Sequence, residues 1–268
     1  MSAMTLDPSS TNVYPDTERI SAAIQSVLAG RPRLSPVAHE LGQRIVAGKL
    51  APGEPLSEKM FGPHRNVSRT SFREAVKVLE GKGLVRSRQN TGTHAAEREM
   101  WNMLDPEVLA WRIGSGAVGE FIQDFLEFRR SVEPSAAEAA ARRGSTGPIA
   151  EIRKALEAMR ELETADPFGD RYVHADLSFH KALFASSENE FFVAMGRLLE
   201  VPMMLSFLLH SELHVAPSDR IALHEAVVVH IEAGNPLAAR EAVLRLLTGV
   251  EKDVNRIVHD DAPPTASS

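Results

Sequence analysis

The sequence contains no cysteine and no long apolar run among its 268 residues. Without cysteine, disulfide bonds and thiolate metal sites are excluded, and a cytoplasmic location is expected. The best apolar candidate, residues 191–209, is interrupted by Arg197, Glu200 and Pro202, which predicts a buried helix rather than a membrane span. The polar residues 1–15 lack the apolar segment of a signal peptide.

The chain also has no excess of positive charge. Its net charge is −6, which by itself argues against nucleic-acid binding. The distribution of charge argues the other way. Residues 34–95 contain ten basic and five acidic side chains, so this segment carries +5 and the remainder carries −11. A basic module joined to an acidic one is expected when only the first contacts phosphate.

Local signals in residues 34–96 predict three helices followed by a hairpin. Ser35 and the proline after it start the first helix, Ser57 can cap a short second helix, and Ser68 can cap a third. The polar stretch 89–92 separates two short strands and reads as a turn. Apolar residues at helical spacing in the third helix are Phe72, Ala75, Val76 and Leu79.

From residue 105 to 258 the pattern is helical, with abundant alanine and no strand-like alternation. Breaks that divide it into six or seven helices fall at residues 114–116, 144–147, 167–169, 186–189, 216–218 and 234–236. We therefore expect a mainly α protein with an N-terminal winged helix-turn-helix and a C-terminal all-α helical bundle. The expected segments are a flexible leader at 1–33, the winged helix at 34–96, a linker at 97–104, the helical domain at 105–258 and a disordered tail at 259–268.

Three basic side chains, Arg69, Arg73 and Lys77, share one face of the predicted third helix because they are spaced four positions apart. Ser68 and Thr70 lie at the N-terminal end of that helix. Cationic side chains, hydroxyls and a helix N-terminus suit contacts with phosphate and guanine in a major groove. A solvated basic face is the alternative for the helix alone, but three helices followed by a basic hairpin favour a DNA-binding module.

The same segment resembles the N-terminal domain of the GntR family of bacterial regulators. The resemblance rests on IVAGKLAPGEPLSE at 45–58, NVSRTSFREA at 66–75, GLV at 83–85 and GT at 92–93. Pro63 and Arg65 depart from the family's usual second helix, so the length of that helix is left open. The resemblance implies that DNA is contacted by Lys59, Ser68, Arg69, Thr70, Arg73, Gln89, Asn90 and Gly92.

A carboxylate and an imidazole, Asp176 and His180, are four residues apart and therefore neighbours on one helix face. His224 lies on a later predicted helix. Two histidines and a carboxylate from two helices can hold a divalent ion inside a bundle. The alternative is an Asp–His pair within one helix and an unrelated histidine.

The helical part resembles the ligand-binding domain of the FadR-type branch of the GntR family, through RRSVEP at 129–134, DLSFH at 176–180, SEN at 187–189, His224 and AGNP at 233–236. Many members of this branch bind a metal through Asp, His, His and a further His. The first three match Asp176, His180 and His224, whereas the fourth falls near Leu246, which cannot ligate. The resemblance implies a divalent metal such as zinc, with water or effector completing the coordination of three protein ligands.

The segment WNMLDPEVLAW at 101–111 is similar to the linker of galactonate-operon repressors and related sugar-acid regulators. In such domains the arginine that matches Arg129 lies in the ligand cavity. A guanidinium can bind a carboxylate through two parallel hydrogen bonds, so Arg129 is a candidate effector-binding residue. The alternative is a surface pair between Arg129 and Glu133, which are four residues apart.

The sequence as a whole predicts a homodimeric transcription regulator that binds two-fold symmetric operator DNA and no membrane. Its operator affinity would be controlled by a small organic acid such as an aldonate, and no enzymatic activity is expected. A metal-dependent enzyme with an accessory DNA-binding domain is the main alternative, because two histidines and one carboxylate also describe non-haem iron oxygenases. A DNA-binding scaffold without a ligand is the third hypothesis.

Overall fold

The computed structural model of the chain describes residues 33–62, 67–88, 91–116, 118–212 and 219–260. They form two compact units, one of residues 33–127 with 197–203 and the other of residues 128–196 with 204–260. The expected leader and tail lie outside the described residues, apart from residue 33 and residues 259–260, which continue the last helix.

The first unit begins with two helices that start where the sequence predicts. Helix α1 spans Pro36–Val46, and the Ser35 hydroxyl accepts a hydrogen bond from the Ala38 amide at 3.2 Å. Helix α2 spans Arg69–Gly81, and the Ser68 hydroxyl accepts one from the Ser71 amide at 3.1 Å. Each serine satisfies an amide that the helix itself leaves without a partner, so the predicted caps are confirmed.

Between these helices lie a two-residue strand, β1 (Pro55–Leu56), and one turn of 3-10 helix at Glu58–Phe61. The Ser57 side chain makes no capping hydrogen bond, so the expected capped second helix is replaced by this shorter element. Gly62 follows with a φ of 74°, a left-handed conformation that ends the turn and that glycine adopts without steric cost. Pro63 and Arg65 lie outside the described residues.

The predicted hairpin is confirmed by strands β2 (Val85–Arg88) and β3 (Gly92–Ala95). The antiparallel sheet has the order β1-β3-β2, with Val85 opposite Ala95 and Arg88 opposite Gly92. Helices and sheet share one apolar core, which includes Leu41, Ile45, Leu56, Phe72, Leu79, Leu84 and Val85.

A second 3-10 turn at Arg98–Met100 leads to helix α3 (Pro106–Gly114), which belongs to the same unit. Lys82, the C-cap of α2, is only 8% exposed and donates to Asp105 at 2.8 Å and to Glu107 at 2.9 Å. Asp105 also caps α3 by accepting from two backbone amides. The Trp111 ring packs on α1, where a β-carbon added at Gly42 would overlap it. Helix α3 is therefore anchored to the end of α2 and to α1.

The remaining helices are α4 (Val118–Arg143), α5 (Thr146–Glu163), α6 (Asp170–Ser186), α7 (Glu190–Leu198), α8 (Glu200–Glu212), α9 (Arg220–Glu232) and α10 (Pro236–Asp260). The division between the two units falls inside α4, after Glu127. In the second unit α5 packs on α6 and α9, and α9 packs on α10.

The predicted helix breaks are found in the described residues, whereas the break at 216–218 lies outside them. One further break, at Leu199, separates α7 from α8, so the described chain has eight helices after residue 105 rather than six or seven. Pro202 lies in the first turn of α8, where a missing amide hydrogen costs no helical hydrogen bond.

The apolar stretch 191–209 is not one buried helix, because Phe191 is 83% exposed and Leu198 is 53% exposed. Among the described helices, none taken singly has the length and apolar character needed to cross a membrane. Helix α7 and the first nine residues of α8 meet those criteria only as a pair bent by 48°.

Candidate functional site

The outer face of α2 carries the basic residues that we expect to contact DNA. Arg69, Arg73 and Lys77 are exposed, with 89% of the Arg69 side chain accessible to solvent. Ser68 and Thr70 are exposed at the N-terminal end of the same helix, where amide groups favour anions. The opposite face is buried in the core of the unit through Phe72, Ala75, Val76 and Leu79.

Two of the basic side chains on this face form exposed ion pairs within the protein. Arg69 Nε donates to Glu58 at 3.3 Å, and Lys77 Nζ donates to Glu74 at 2.9 Å. Exposed pairs contribute little free energy, so phosphate can compete with both carboxylates. The exposed Lys59 lies next to Glu58, which places it near the start of α2.

The hairpin presents further polar residues on the same unit. Gly92 begins β3 with a φ of 87° and is exposed, as are Arg86 and Arg88 on β2. Gln89 and Asn90, which are also expected to contact DNA, lie outside the described residues.

Inside the second unit, the structure brings Asp176, His180 and His224 together although the first two lie on α6 and the third on α9. One ligand atom from each residue lies within 4.8 Å of the other two. Asp176 Oδ1 is 3.3 Å from the Nε2 atoms of both histidines. All three side chains are buried.

The other ring nitrogen of each histidine is held by an acceptor. His224 Nδ1 lies 2.7 Å from the carbonyl oxygen of Arg220, which can only accept, so Nδ1 carries the hydrogen. His180 Nδ1 lies 2.8 Å from Glu133 Oε2. Both contacts leave Nε2 as the atom directed at Asp176, an arrangement typical of histidines that ligate a metal.

Two atoms of this cluster, Asp176 Oδ1 and His224 Nε2, are buried and have no aligned hydrogen-bond partner among the described residues. A buried polar atom without a partner is costly and calls for an explanation. A carboxylate oxygen and two imidazole nitrogens are suitable ligands for Zn²⁺ and similar divalent ions. The donor set therefore fits a metal ion.

Arg129 on α4 lies in the same interior and is engaged by Glu133. Arg129 Nε is 2.5 Å from Glu133 Oε1, and Arg129 Nη2 is 3.4 Å from Oε2. Arg129 is 2% exposed and Glu133 is fully buried. The expected pair thus forms, but inside the bundle and not on its surface. Arg129 Nη2 also lies 3.2 Å from His180 Nε2, which joins the pair to the metal-type cluster.

The buried charged side chains change one another's pKa values. Burial raises the pKa of Glu133, but Arg129 and His180 outweigh burial and hold that pKa at about 2. Burial also raises the pKa of Asp176, and the imidazoles of His180 and His224 outweigh it and keep the pKa well below the usual range. For His180, burial lowers the pKa, whereas the Glu133 carboxylate leads the contributions that raise it above 6.5. The two carboxylates are therefore ionised at neutral pH.

A small cavity adjoins these groups; it is partly open to solvent and has room for about one or two water molecules. Leu246, at the position expected for a fourth ligand, lies in its wall and is 2% exposed. The wall combines two guanidinium groups, the metal-type cluster and three apolar side chains. The lining residues are Arg129, Asp176, His180, Phe207, Arg220, His224, Leu246 and Val250.

The sequence did not point to Arg220, Phe207 or the buried role of Glu133. Arg220 could have been found from its spacing, because it lies one turn before His224 on the same helix. Glu133 lies one turn after Arg129, but spacing alone does not reveal that both are buried or that Glu133 contacts α6. The centre of the Phe207 ring lies 4.9 Å from the Arg129 guanidinium carbon, a contact that has no local signal in the sequence.

Comparison with known proteins agrees with this organisation. Residues 35–94 match the family described as "Bacterial regulatory proteins, gntR family", and residues 124–249 match the FCD domain. The uncharacterized HTH-type transcriptional regulator YieP of Escherichia coli (strain K12) is 32% identical over 231 residues, which cover 84% of this chain and 97% of YieP. The galactonate operon transcriptional repressor of the same organism is 33% identical over 150 residues, 56% of this chain and 64% of the repressor.

A solved structure shares the fold. Lar, which controls the expression of the Listeria monocytogenes agr system, matches with a TM-score of 0.53 at 17% identity, over 84% of this chain and 99% of Lar. The expected winged helix-turn-helix and helical bundle are thus confirmed as a fold, as is the resemblance to the FadR-type branch. The match to YieP spans nearly its whole length, and the two matched domains are those of transcription regulators. This chain belongs to the GntR family of transcription regulators and carries a GntR DNA-binding domain followed by an FCD domain.

Proposed function

We propose that this regulator is a homodimeric repressor whose affinity for a two-fold symmetric operator changes when a small organic acid binds in the FCD cavity. The observation that carries this proposal is the cavity in which two arginines lie beside buried Asp176 and His224 atoms that have no aligned hydrogen-bond partner among the described residues. Linkage requires the acid to bind the DNA-competent and DNA-incompetent states with different affinity.

The proposed DNA interface is the exposed face of α2 with the neighbouring turn and the tip of the hairpin. We expect Arg69 and Arg73 to reach base edges, because they are exposed near the start of a helix that can enter a major groove. Lys77 lies two turns further along and suits a phosphate contact. The remaining proposed contacts are Lys59, Ser68, Thr70, Gln89, Asn90 and Gly92.

The proposed dimer follows from the amount of DNA that one module can read. A single winged helix offers one recognition helix and few base contacts, too few to select one site in a genome. Two modules related by a two-fold axis read two half-sites of a palindromic operator. Sedimentation of the full chain, alone and on DNA, tests this arrangement.

The proposed metal ligands are Asp176, His180 and His224. The fit rests on the buried atoms without partners and on the second nitrogen of each histidine, which is held by Glu133 or by a backbone carbonyl. A divalent ion such as Zn²⁺ would supply positive charge for an oxygen of the effector. Leu246 offers no fourth ligand, so water or the effector would complete the coordination.

The proposed effector is a small hydroxy acid, and a sugar acid such as an aldonate is the leading candidate. Arginine side chains in the cavity wall suit a carboxylate. The similarity to the galactonate operon transcriptional repressor supports the same class. We propose that the acid binds in the cavity lined by Arg129 and Arg220.

The test uses an operator selected from random duplexes and fluorescence anisotropy of the Zn²⁺-loaded protein. Titration with D-galactonate, L-lactate and glycolate should reveal one acid that shifts operator affinity at least fivefold. His180→Ala should reduce that shift below twofold while leaving operator affinity without acid unchanged. His174→Ala is the matched control, because His174 is exposed on the same helix.

Two results would contradict the proposal. A protein that responds fully to its acid after metal removal, and equally after His180→Ala, would show that the cluster is structural. A protein whose operator affinity is unaffected by all three acids would reject the effector class. Iron-dependent turnover of any of these acids would instead favour an enzyme.

A further inference from the structure

The cavity wall contains two guanidinium groups, and they differ in how far their charge is already neutralised. Arg129 is buried and contacts both oxygens of the Glu133 carboxylate, with the closer contact at 2.5 Å. A ligand carboxylate at Arg129 would have to share the guanidinium with Glu133, which itself is fully buried and ionised, or displace it. Displacing it would leave a buried negative charge without its partner, which is strongly unfavourable.

Arg220 is in a different position. It is partly buried in the cavity wall, and no carboxylate within the described part of the chain forms an ion pair with it. Its carbonyl oxygen is fixed by the His224 ring at 2.7 Å, so the backbone from which the guanidinium extends is tied to the metal-type cluster. A partly desolvated cation without a counter-charge favours binding of an anion.

A second donor lies beside Arg220. The Tyr172 hydroxyl is buried, the Arg220 side chain lies within reach of it, and no described residue accepts its hydrogen. Burial raises the pKa of this phenol, the Asp176 carboxylate adds to the rise, and the nearby Arg220 opposes it. A phenol is protonated at neutral pH, so the hydroxyl can donate to an acceptor that the described residues do not supply.

We propose that the carboxylate of the effector binds to the Arg220 guanidinium with the Tyr172 hydroxyl as a second donor, while Arg129 and Glu133 position His180. The proposal rests on the function proposed above and names the residues that receive the acid. A hydroxyl next to the carboxylate can then face Asp176 and His224, and Phe207, Leu246 and Val250 contact its carbon atoms. The ligand class is a 2-hydroxycarboxylate.

Calorimetric titration of the Zn²⁺-loaded full chain with D-galactonate, L-lactate and glycolate identifies the acid that binds most tightly. Arg220→Gln should weaken binding of that acid about 10- to 100-fold, since a charge-assisted hydrogen-bond pair is lost. Arg220→Lys should weaken it less, because lysine keeps the charge but not the planar fork. Tyr172→Phe should weaken it roughly threefold to tenfold.

Three controls separate this proposal from general damage. Arg245→Gln removes an exposed arginine that pairs with Glu241 on the same helix, and it should leave acid binding unchanged. Zn²⁺ content and thermal stability should stay the same in Arg220→Gln, because Arg220 is not a ligand. Galactitol, which lacks the carboxylate, should bind the wild type and Arg220→Gln equally weakly.

If the affinity of Arg220→Gln for the acid is within twofold of that of the wild type, the inference is overturned. Arg129 would then be the residue that binds the carboxylate, and the proposed function would stand. Loss of Zn²⁺ from Arg220→Gln would also overturn it, since Arg220 would then support the metal cluster. Failure of the wild type to bind all three acids is a separate result, which rejects the proposed effector class together with this inference.

Discussion

Replacing Glu133 with glutamine is expected to destabilise the chelator-treated protein by about 3 kcal/mol at neutral pH. The surroundings lower the Glu133 pKa from 4.5 to about 2, and each pKa unit corresponds to about 1.4 kcal/mol. Glutamine has nearly the same shape as the protonated side chain, so Glu133→Gln removes this stabilisation. It also leaves the Arg129 guanidinium, which is 2% exposed, without its counter-charge.

Urea unfolding followed by circular dichroism measures this difference at several pH values. Because the folded-state pKa lies below the unfolded-state pKa, the stabilisation is present above pH 4.5 and is lost as the pH falls toward 2. Because Glu133 also leads the contributions that raise the His180 pKa, the gap between wild type and Glu133→Gln should widen as the pH falls from 7 to about 5.5. It should then shrink below pH 4.5, where Glu133 itself takes up a proton. Glu251→Gln, which removes an exposed pair with Arg130, should change the free energy of unfolding by less than about 1 kcal/mol.

Two results would contradict this prediction: a free energy of unfolding of Glu133→Gln within about 1 kcal/mol of the wild type at pH 7, or a gap that does not depend on pH down to pH 3. Either result would mean that Glu133 is not the ionised partner of Arg129 and His180. The positioning role assigned to this pair would then be lost as well.

Three further predictions concern DNA, metal and assembly. Arg69→Ala and Arg73→Ala should each weaken operator binding by about 1–3 kcal/mol, whereas Lys77→Ala should weaken operator and unrelated DNA equally; unchanged affinity in both folded arginine variants would remove the assignment. Burial lowers the His180 pKa, but the Glu133 carboxylate and the hydrogen bonds to Asp176 and Glu133 together raise it above 6.5; Zn²⁺ must therefore displace a proton, and its affinity in indicator competition should already fall on acidification above pH 6.5. Affinity that is constant from pH 8 to 6 contradicts this. Sedimentation velocity should show a dimer both free and on DNA, and a monomer in both states would reject the two-fold model.

Features determined by short-range sequence signals could be predicted. The Ser35 and Ser68 caps depend on residues three positions apart, and the Asp176–His180 pair depends on residues one helical turn apart. These distances are fixed by helix geometry, whatever the rest of the fold does. The winged helix also carries motifs over about sixty residues, which gave its fold and its exposed basic face.

Features that depend on packing between distant segments could not be predicted in the same way. Arg129 and Glu133 look like an ordinary surface pair in sequence, and only the packing of α4 beside α6 buries them and brings Glu133 to His180. Arg220 enters the cavity because α9 lies against the same interior. The break at Leu199 was missed because an apolar run continues through it, and local composition does not report the 48° bend.

The buried Lys82 determines where the DNA-binding domain can be separated from the rest of the chain. Its ammonium is neutralised by Asp105 and Glu107, and Val108 and Trp111 complete the core around α1 and α2. A fragment that stops at residue 96 would keep the whole hairpin. It would also leave the Lys82 ammonium without its two carboxylates and remove part of the apolar core. Chimeric regulators that carry this DNA specificity on another sensor should therefore be joined after Gly114, so that α3 travels with the module it stabilises.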